Sequence, residues 1–257
     1  GTVNGLGKLF YSLGGTILFL VGVYLFYINK ELPFILILCC VMIPVLIACI
    51  FVREDNAHVK QKSKLSFDFI KNKKAMRVFM TAFFFYIAYG LITPFWIPYY
   101  VTANHFTSSE ISLALTSFTV IGLILSLFVG IWCDKWNKQY IFFIACIIYI
   151  AGFIIGWNVS NLYTLWIFAI LFGIGFVIMQ VVFYALIPEV APKEKIGEYM
   201  GINNIFLCVP QIIGSILGGY LLQVGYGELL FPISIAALII ACVIIGYGKL
   251  EENKKLA

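Results

Sequence analysis

Tyr86, Tyr89, Thr93, Trp96 and Tyr100 fall within about an 80° stripe when their segment is wound at 100° per residue. Such a stripe suits a sugar. Aromatic faces stack on the C–H face of the ring, and hydroxyl and indole tips bond its hydroxyls. An interfacial aromatic belt is the other reading, and it fits Trp96, Tyr99 and Tyr100. Gln180 and Tyr184 stand one helical turn apart, placed to share a substrate hydroxyl or to bond each other. Asn204, Gln211 and Ser215 share a third face. Amides are costly in lipid, so that face should look onto protein or a water-filled cavity. These groups bind solutes and do not attack them. The sequence has no serine nucleophile elbow, no phosphate-cradling glycine loop and no histidine cluster. Glu189, Glu194 and Glu198 are the one acid cluster, and Lys193 and Lys195 interleave with it as in a solvated loop. The expectation is therefore no catalytic residue, no metal and no cofactor. An integral-membrane enzyme acting on a lipid is the weaker alternative.

The elements that position these residues are long apolar runs. Of 257 residues, 62% are hydrophobic and 11% charged. A soluble domain carries about 25% charge, so lipid is the solvent this surface fits. Eight runs approach the ~20 apolar residues that cross a bilayer. They are Leu9–Ile28, Pro33–Val52, Val78–Val101, Ile111–Trp132, Ile141–Trp157, Tyr163–Ile187, Ile202–Leu222 and Leu229–Tyr247. They are continuously apolar rather than alternating, which makes them helices and not barrel strands. The connections are short except for the basic segment from Arg53 to Arg77. Numbering the loops alternately puts 16 of the 17 Lys and Arg residues on one side and only Lys30 on the other. The positive-inside rule makes the rich side cytoplasmic, with the central loop and the C-terminus on it. The net charge of +5 then reads as topology in the plasma membrane, with no nucleic-acid partner. The seven cysteines show no metal-ligand spacing and read as small buried apolar residues.

A weak internal repeat orders the runs. At an offset of 196, Gly1, Gly5, Phe10, Ile17, Gly22, Tyr24 and Leu25 match Gly197, Gly201, Phe206, Ile213, Gly218, Tyr220 and Leu221. The first and seventh runs are six apart and so point the same way. Parallel repeats of six spans build one major class of secondary carriers. On this reading residues 1–53 are the last two spans of an N-terminal six-helix bundle. Residues 54–77 are a basic cytoplasmic inter-domain loop, and 78–257 are a C-terminal six-helix bundle with a cytoplasmic tail. Four N-terminal spans of the same polypeptide would be missing, in keeping with a chain that begins at Gly1.

Gly130-Ile131-Trp132-Cys133-Asp134-Lys135-Trp136-Asn137-Lys138 resembles the cytoplasmic loop signature of the major facilitator superfamily, with Asn137 where glycine is usual. Asn is the next-best residue for a left-handed backbone. The resemblance implies a conformational latch of Gly130, Asp134, Lys135, Lys138 and Glu189. In it Asp134 faces a neighbouring helix N-terminus, such as that of the seventh span, and the lysines pair with acids such as Glu189. The segment from Pro188 through Gly197, Asn204, Pro210 and Gln211 to Gly219 is similar to that of sugar/proton symporters of the sucrose-transporter type. It is more distantly similar to glycoside-pentoside-hexuronide carriers. Gly197/Gly201 and Gly214/Gly218 form small-xxx-small pairs that let helices approach closely. Together these imply a twelve-span carrier, of which eight spans are expected in this all-α polytopic chain. It would move a sugar with a proton by alternating access. The implied substrate residues are Tyr86, Tyr89, Thr93, Trp96, Gln180, Tyr184, Asn204 and Gln211. None of the eight runs carries an Asp, Glu, Lys or Arg at its middle, so a coupling acid is expected in the missing spans. A carrier-like protein with a non-transport role is a further alternative.

Overall fold

The computed structural model describes residues 28–51 and 67–247, with positions 13–15, 17, 21, 22, 24 and 25 before them. Among the described residues there is no strand. The helices are α1 (Leu32–Phe51), α2 (Lys73–Ile92), α3 (Trp96–Asn104), α4 (Ser108–Lys135), α5 (Lys138–Trp157), α6 (Leu162–Val190), α7 (Ile196–Gln223) and α8 (Leu230–Gly246). Six stretches are long and apolar enough to cross a membrane, and α2 with α3 counts as one of them. About half of the first expected run, Gly1, Gly5 and Phe10 of its repeat, and residues 54–66 lie outside the described residues. Among the described residues, the apolar helix α1 is mostly exposed and makes no extensive contact with the bundle.

α2 with α3, α4, α6 and α7 run past their apolar stretches at both ends and α5 at its start, while α8 stays inside its own, and polar caps set several of these ends. Asn72 opens α2 by accepting the Lys74 and Ala75 amides at 3.2 Å each. Thr107 and Glu110 form a capping box on α4, as the sequence pattern leads one to expect. Asn137 caps α5, and Asn161 with Thr164 boxes α6. The third run is not one helix. Pro94 removes a backbone donor, and Thr93–Phe95 turns as a 3-10 segment between α2 and α3. The rest is a six-span bundle. α2 packs on α7 and α8, α6 lies against α4 and α5, and α5 closes on α8. Its core is aromatic: Phe79, Phe85, Tyr86, Phe153, Phe168, Phe172 and Phe183 are all buried.

The seam between α2 and α7 is made by glycine. A Cβ on Gly90 would sit 2.5 Å from the Gln211 carbonyl oxygen, and one on Gly214 would sit 2.5 Å from that of Ile87. Ser215 Oγ donates to the Gly90 carbonyl at 3.3 Å across the same seam. The expected close approach therefore occurs at Gly214 and Gly218. It does not occur at Gly197 and Gly201, whose Cβ positions meet nothing within 4 Å. Seventeen residues separate the two pairs, which turns Gly197 and Gly201 about 100° away from α2.

Candidate solute site and the basic end of the bundle

Four of the residues singled out from sequence meet between α2, α6 and α7. Tyr86 is 1% exposed, and its hydroxyl is buried without a hydrogen bond of good geometry. The polar side chains within electrostatic reach of it are Gln180, Tyr184, Tyr89 and Cys208. The Tyr184 hydroxyl donates to Asn204 Oδ1 at 3.4 Å, tying α6 to α7. Gln180 and Tyr184, one turn apart, thus share Tyr86 as a neighbour, and Tyr184 also reaches Asn204. Tyr89 is half-buried, with its ring stacked on Phe176 at 4.5 Å and 17°. Phe183 packs on Tyr86 at 6.0 Å. The result is a set of neutral hydroxyl and amide groups in an aromatic wall.

The other substrate candidates lie further along. Thr93 Oγ1 donates back to the Tyr89 carbonyl at 2.7 Å, at the break between α2 and α3. Trp96 is 3% exposed, wedged against Phe168 and Phe172 at 4.8 and 4.7 Å, and its Nε1 is buried without a partner. Gln211 stands about 10 Å along α7 from Asn204. With Cys208 and Ser215 it lines an open groove of about 580 Å³. Cys208 is also a neighbour of the Tyr86 hydroxyl, so groove and cluster adjoin. Tyr100, the last member of the stripe, is spent on the fold, donating to the Gly156 carbonyl at 2.7 Å.

Sequence reasoning missed Tyr149. It is fully buried on α5, its hydroxyl has no partner, and Tyr89 and Tyr86 are its polar neighbours. The available signal was one hydroxyl in the middle of an otherwise apolar run. Cys208 was also missed, although it stands four residues from Asn204 on the same face.

The basic end of the bundle is tied by side chains. Lys138 Nζ stands 2.6 Å from Glu189 Oε1, with the lysine side chain 11% and the glutamate 36% exposed. This pair joins the start of α5 to the end of α6. Asp134 and Lys135 are exposed at the end of α4, while Gly130 is buried one turn earlier. Asn72, not singled out from sequence, does two jobs. Besides capping α2, its Nδ2 donates to the Val190 carbonyl at 2.8 Å and reaches Tyr199 Oη at 3.5 Å. Gln139 Nε2 donates to the Ile245 carbonyl at 3.0 Å, and Arg77 Nη1 donates to that of Tyr247.

Comparisons with known proteins agree with this architecture. The chain is 31% identical over 182 residues to "Uncharacterized MFS-type transporter MJ1560" of Methanocaldococcus jannaschii, covering 70% of this chain and 46% of that protein. It is 24% identical over 197 residues to "Quinolone resistance protein NorA" of Staphylococcus aureus, covering 71% of this chain and 50% of the relative. The chain spans about half the length of the curated relatives it matches. The family model described as Major Facilitator Superfamily matches residues 78–256, from the second turn of α2 past the end of α8. This helical membrane chain belongs to the Major Facilitator Superfamily.

Proposed function

We propose that the chain is the solute-handling part of a secondary transporter that moves a small organic solute across the membrane by alternating access. The observation that carries this reading is the cluster of Tyr86, Gln180, Tyr184 and Asn204 between three spans, beside the groove on α7. None of these four side chains is ionised at neutral pH, and phenylalanine rings wall the cluster. Neutral donors beside ring faces suit a solute that is part apolar and part hydrogen-bonding. Two classes fit. An amphipathic aromatic solute is favoured by the aromatic wall and by the relative named for quinolone resistance. A sugar such as a disaccharide or glycoside is the second reading, supported by the resemblance around Gly197 to Gln211. It is disfavoured at one point, because Phe176 already occupies a face of Tyr89. Proton coupling, plasma-membrane location with the basic end cytoplasmic, and the division at residues 54–77 belong to the same proposal. So does the latch role of Gly130, Asp134, Lys135, Lys138 and Glu189.

The test is transport by the full-length protein in proteoliposomes, with and without an imposed pH gradient. A fluorescent quinolone and labelled sucrose are the two probes. Quinolone movement driven by the gradient is the expected result. Tyr184→Phe and Asn204→Ala each raise KM about tenfold, the equivalent of one hydrogen bond of about 1.4 kcal/mol. Saturable sucrose transport without quinolone transport selects the sugar. Transport of neither by folded protein, as judged by circular dichroism, overturns the proposal.

A further inference from the structure

On the outer flank of the bundle, at its basic end, a groove of about 380 Å³ runs between the start of α2 and the end of α8. Its lining is cationic at Lys73 and Arg77, the mouth, and apolar at Ile70, Met76, Met80 and Ile244, with Tyr247 beside them. Arg77 is held in place there. Its Nε donates to the Lys73 carbonyl at 3.4 Å and its Nη1 to the Tyr247 carbonyl, which fixes the guanidinium across the mouth.

The electrostatics of this mouth are one-sided. Lys73 and Arg77 are four residues apart on one helical face, an arrangement that costs a few tenths of a kcal/mol between like charges. Lys73 also opens α2, where the backbone already presents partial positive charge. α2 carries no acidic residue in its first turn, and none lines the groove among the described residues. The groove wall is the opposite in character. From Lys73 to Met80 the helix rises about 10 Å, and along it cationic Lys73 and Arg77 alternate with apolar Met76 and Met80. Methionine side chains are flexible and adapt to an irregular, mobile partner.

We infer that the groove binds one anionic phospholipid. Its phosphate lies between Lys73 and Arg77, its first acyl carbons run along Met76, Met80 and Ile244, and the Tyr247 ring sits at headgroup level. A free phosphate would use only the mouth. A zwitterionic lipid would bring its own cation against two others. This assignment needs the bundle to span a bilayer, and it is independent of which solute is carried.

The test is thermal unfolding of the purified full chain in detergent, titrated with dioleoylphosphatidylglycerol, dioleoylphosphatidylcholine or inorganic phosphate. Native mass spectrometry counts the retained lipid. Phosphatidylglycerol is expected to raise Tm saturably, with one lipid retained, while phosphatidylcholine and phosphate leave Tm unchanged. Lys73→Gln weakens the apparent affinity about fivefold. Lys71→Gln, a neighbouring cation outside the groove lining, leaves it unchanged. Equal shifts with both lipids, an equal shift with inorganic phosphate, or equal loss in the two lysine variants would overturn the assignment.

Discussion

Replacing Gly214 with alanine tests whether backbone contact holds α2 to α7. The added Cβ would lie 2.5 Å from the Ile87 carbonyl oxygen and 2.9 Å from the Leu91 nitrogen. Ordinary contact begins near 3.4 Å, so the helices must part by roughly 0.9 Å. Both clashing atoms are backbone, and neither can swing aside as a side chain would. Overpacking of this kind costs about 1–3 kcal/mol. Separation also weakens the Ser215–Gly90 hydrogen bond, and we expect a total near 3 kcal/mol. Gly201→Ala is the matched control on the same helix, since nothing lies within 4 Å of its Cβ position. There the helix propensity of alanine should leave stability unchanged or raise it by up to about 1 kcal/mol. The assay is thermal unfolding of both variants in one detergent, followed by circular dichroism, with transport measured in parallel. Gly214→Ala should melt well below the parent, and Gly201→Ala at or above it. Equal melting of the two variants would refute the claim that this seam is set by close backbone packing.

Breaking the Lys138–Glu189 pair with either single alanine should cost about 1–2 kcal/mol, between the exposed and the buried cases. A double-mutant cycle on unfolding free energy should return a coupling of about 1 kcal/mol, and a coupling of zero would remove the pair from the account. Asn72→Ala loses both a helix cap and the bond to Val190, about 2 kcal/mol together. Asn72→Asp keeps the cap but sets a carboxylate against that carbonyl. It should therefore melt no higher than the alanine variant, and recovery to the parent Tm would show that only the cap matters. Tyr149→Phe removes a buried hydroxyl without a partner and should raise stability by up to about 1 kcal/mol while lowering solute affinity. Unchanged KM in that variant would take Tyr149 out of the site.

The spans were legible because continuous apolar runs have few other uses. Their ends were not, since Asn72, Asn137 and Asn161 read as loop residues until the backbone they cap is seen. Periodicity placed Asn204, Gln211 and Ser215 on one face correctly. It gives faces and not neighbours, so the reach of Tyr184 to Asn204, and of Gln180 toward Tyr86, lay beyond it. Tyr149 escaped for a related reason: in a helix apolar all round, no stripe marks the side on which one hydroxyl matters. The glycine pattern was ambiguous in the same way, with two identical spacings of which one meets α2 and the other does not.

The break at Thr93–Phe95 has a mechanical consequence. Before it, α2 is fused to α7 backbone to backbone. Beyond it, α3 is fastened to the far end of α5 by Tyr100 on the Gly156 carbonyl, and to the loop that follows by Asn104 on the Val159 carbonyl at 2.6 Å. The nine residues of α3 make a lever about 13 Å long. A tilt of about 10° at its fulcrum would carry Asn104 through about 2 Å, enough to break both fastenings. Two such bonds are together worth about 2 kcal/mol, and the burial of Trp96, Tyr99 and Tyr100 against Phe168, Phe172 and Phe231 holds the lever further. Thr93, at the fulcrum, is bonded to the carbonyl of Tyr89, so whatever displaces Tyr89, beside the candidate cluster, pulls on the lever at its pivot.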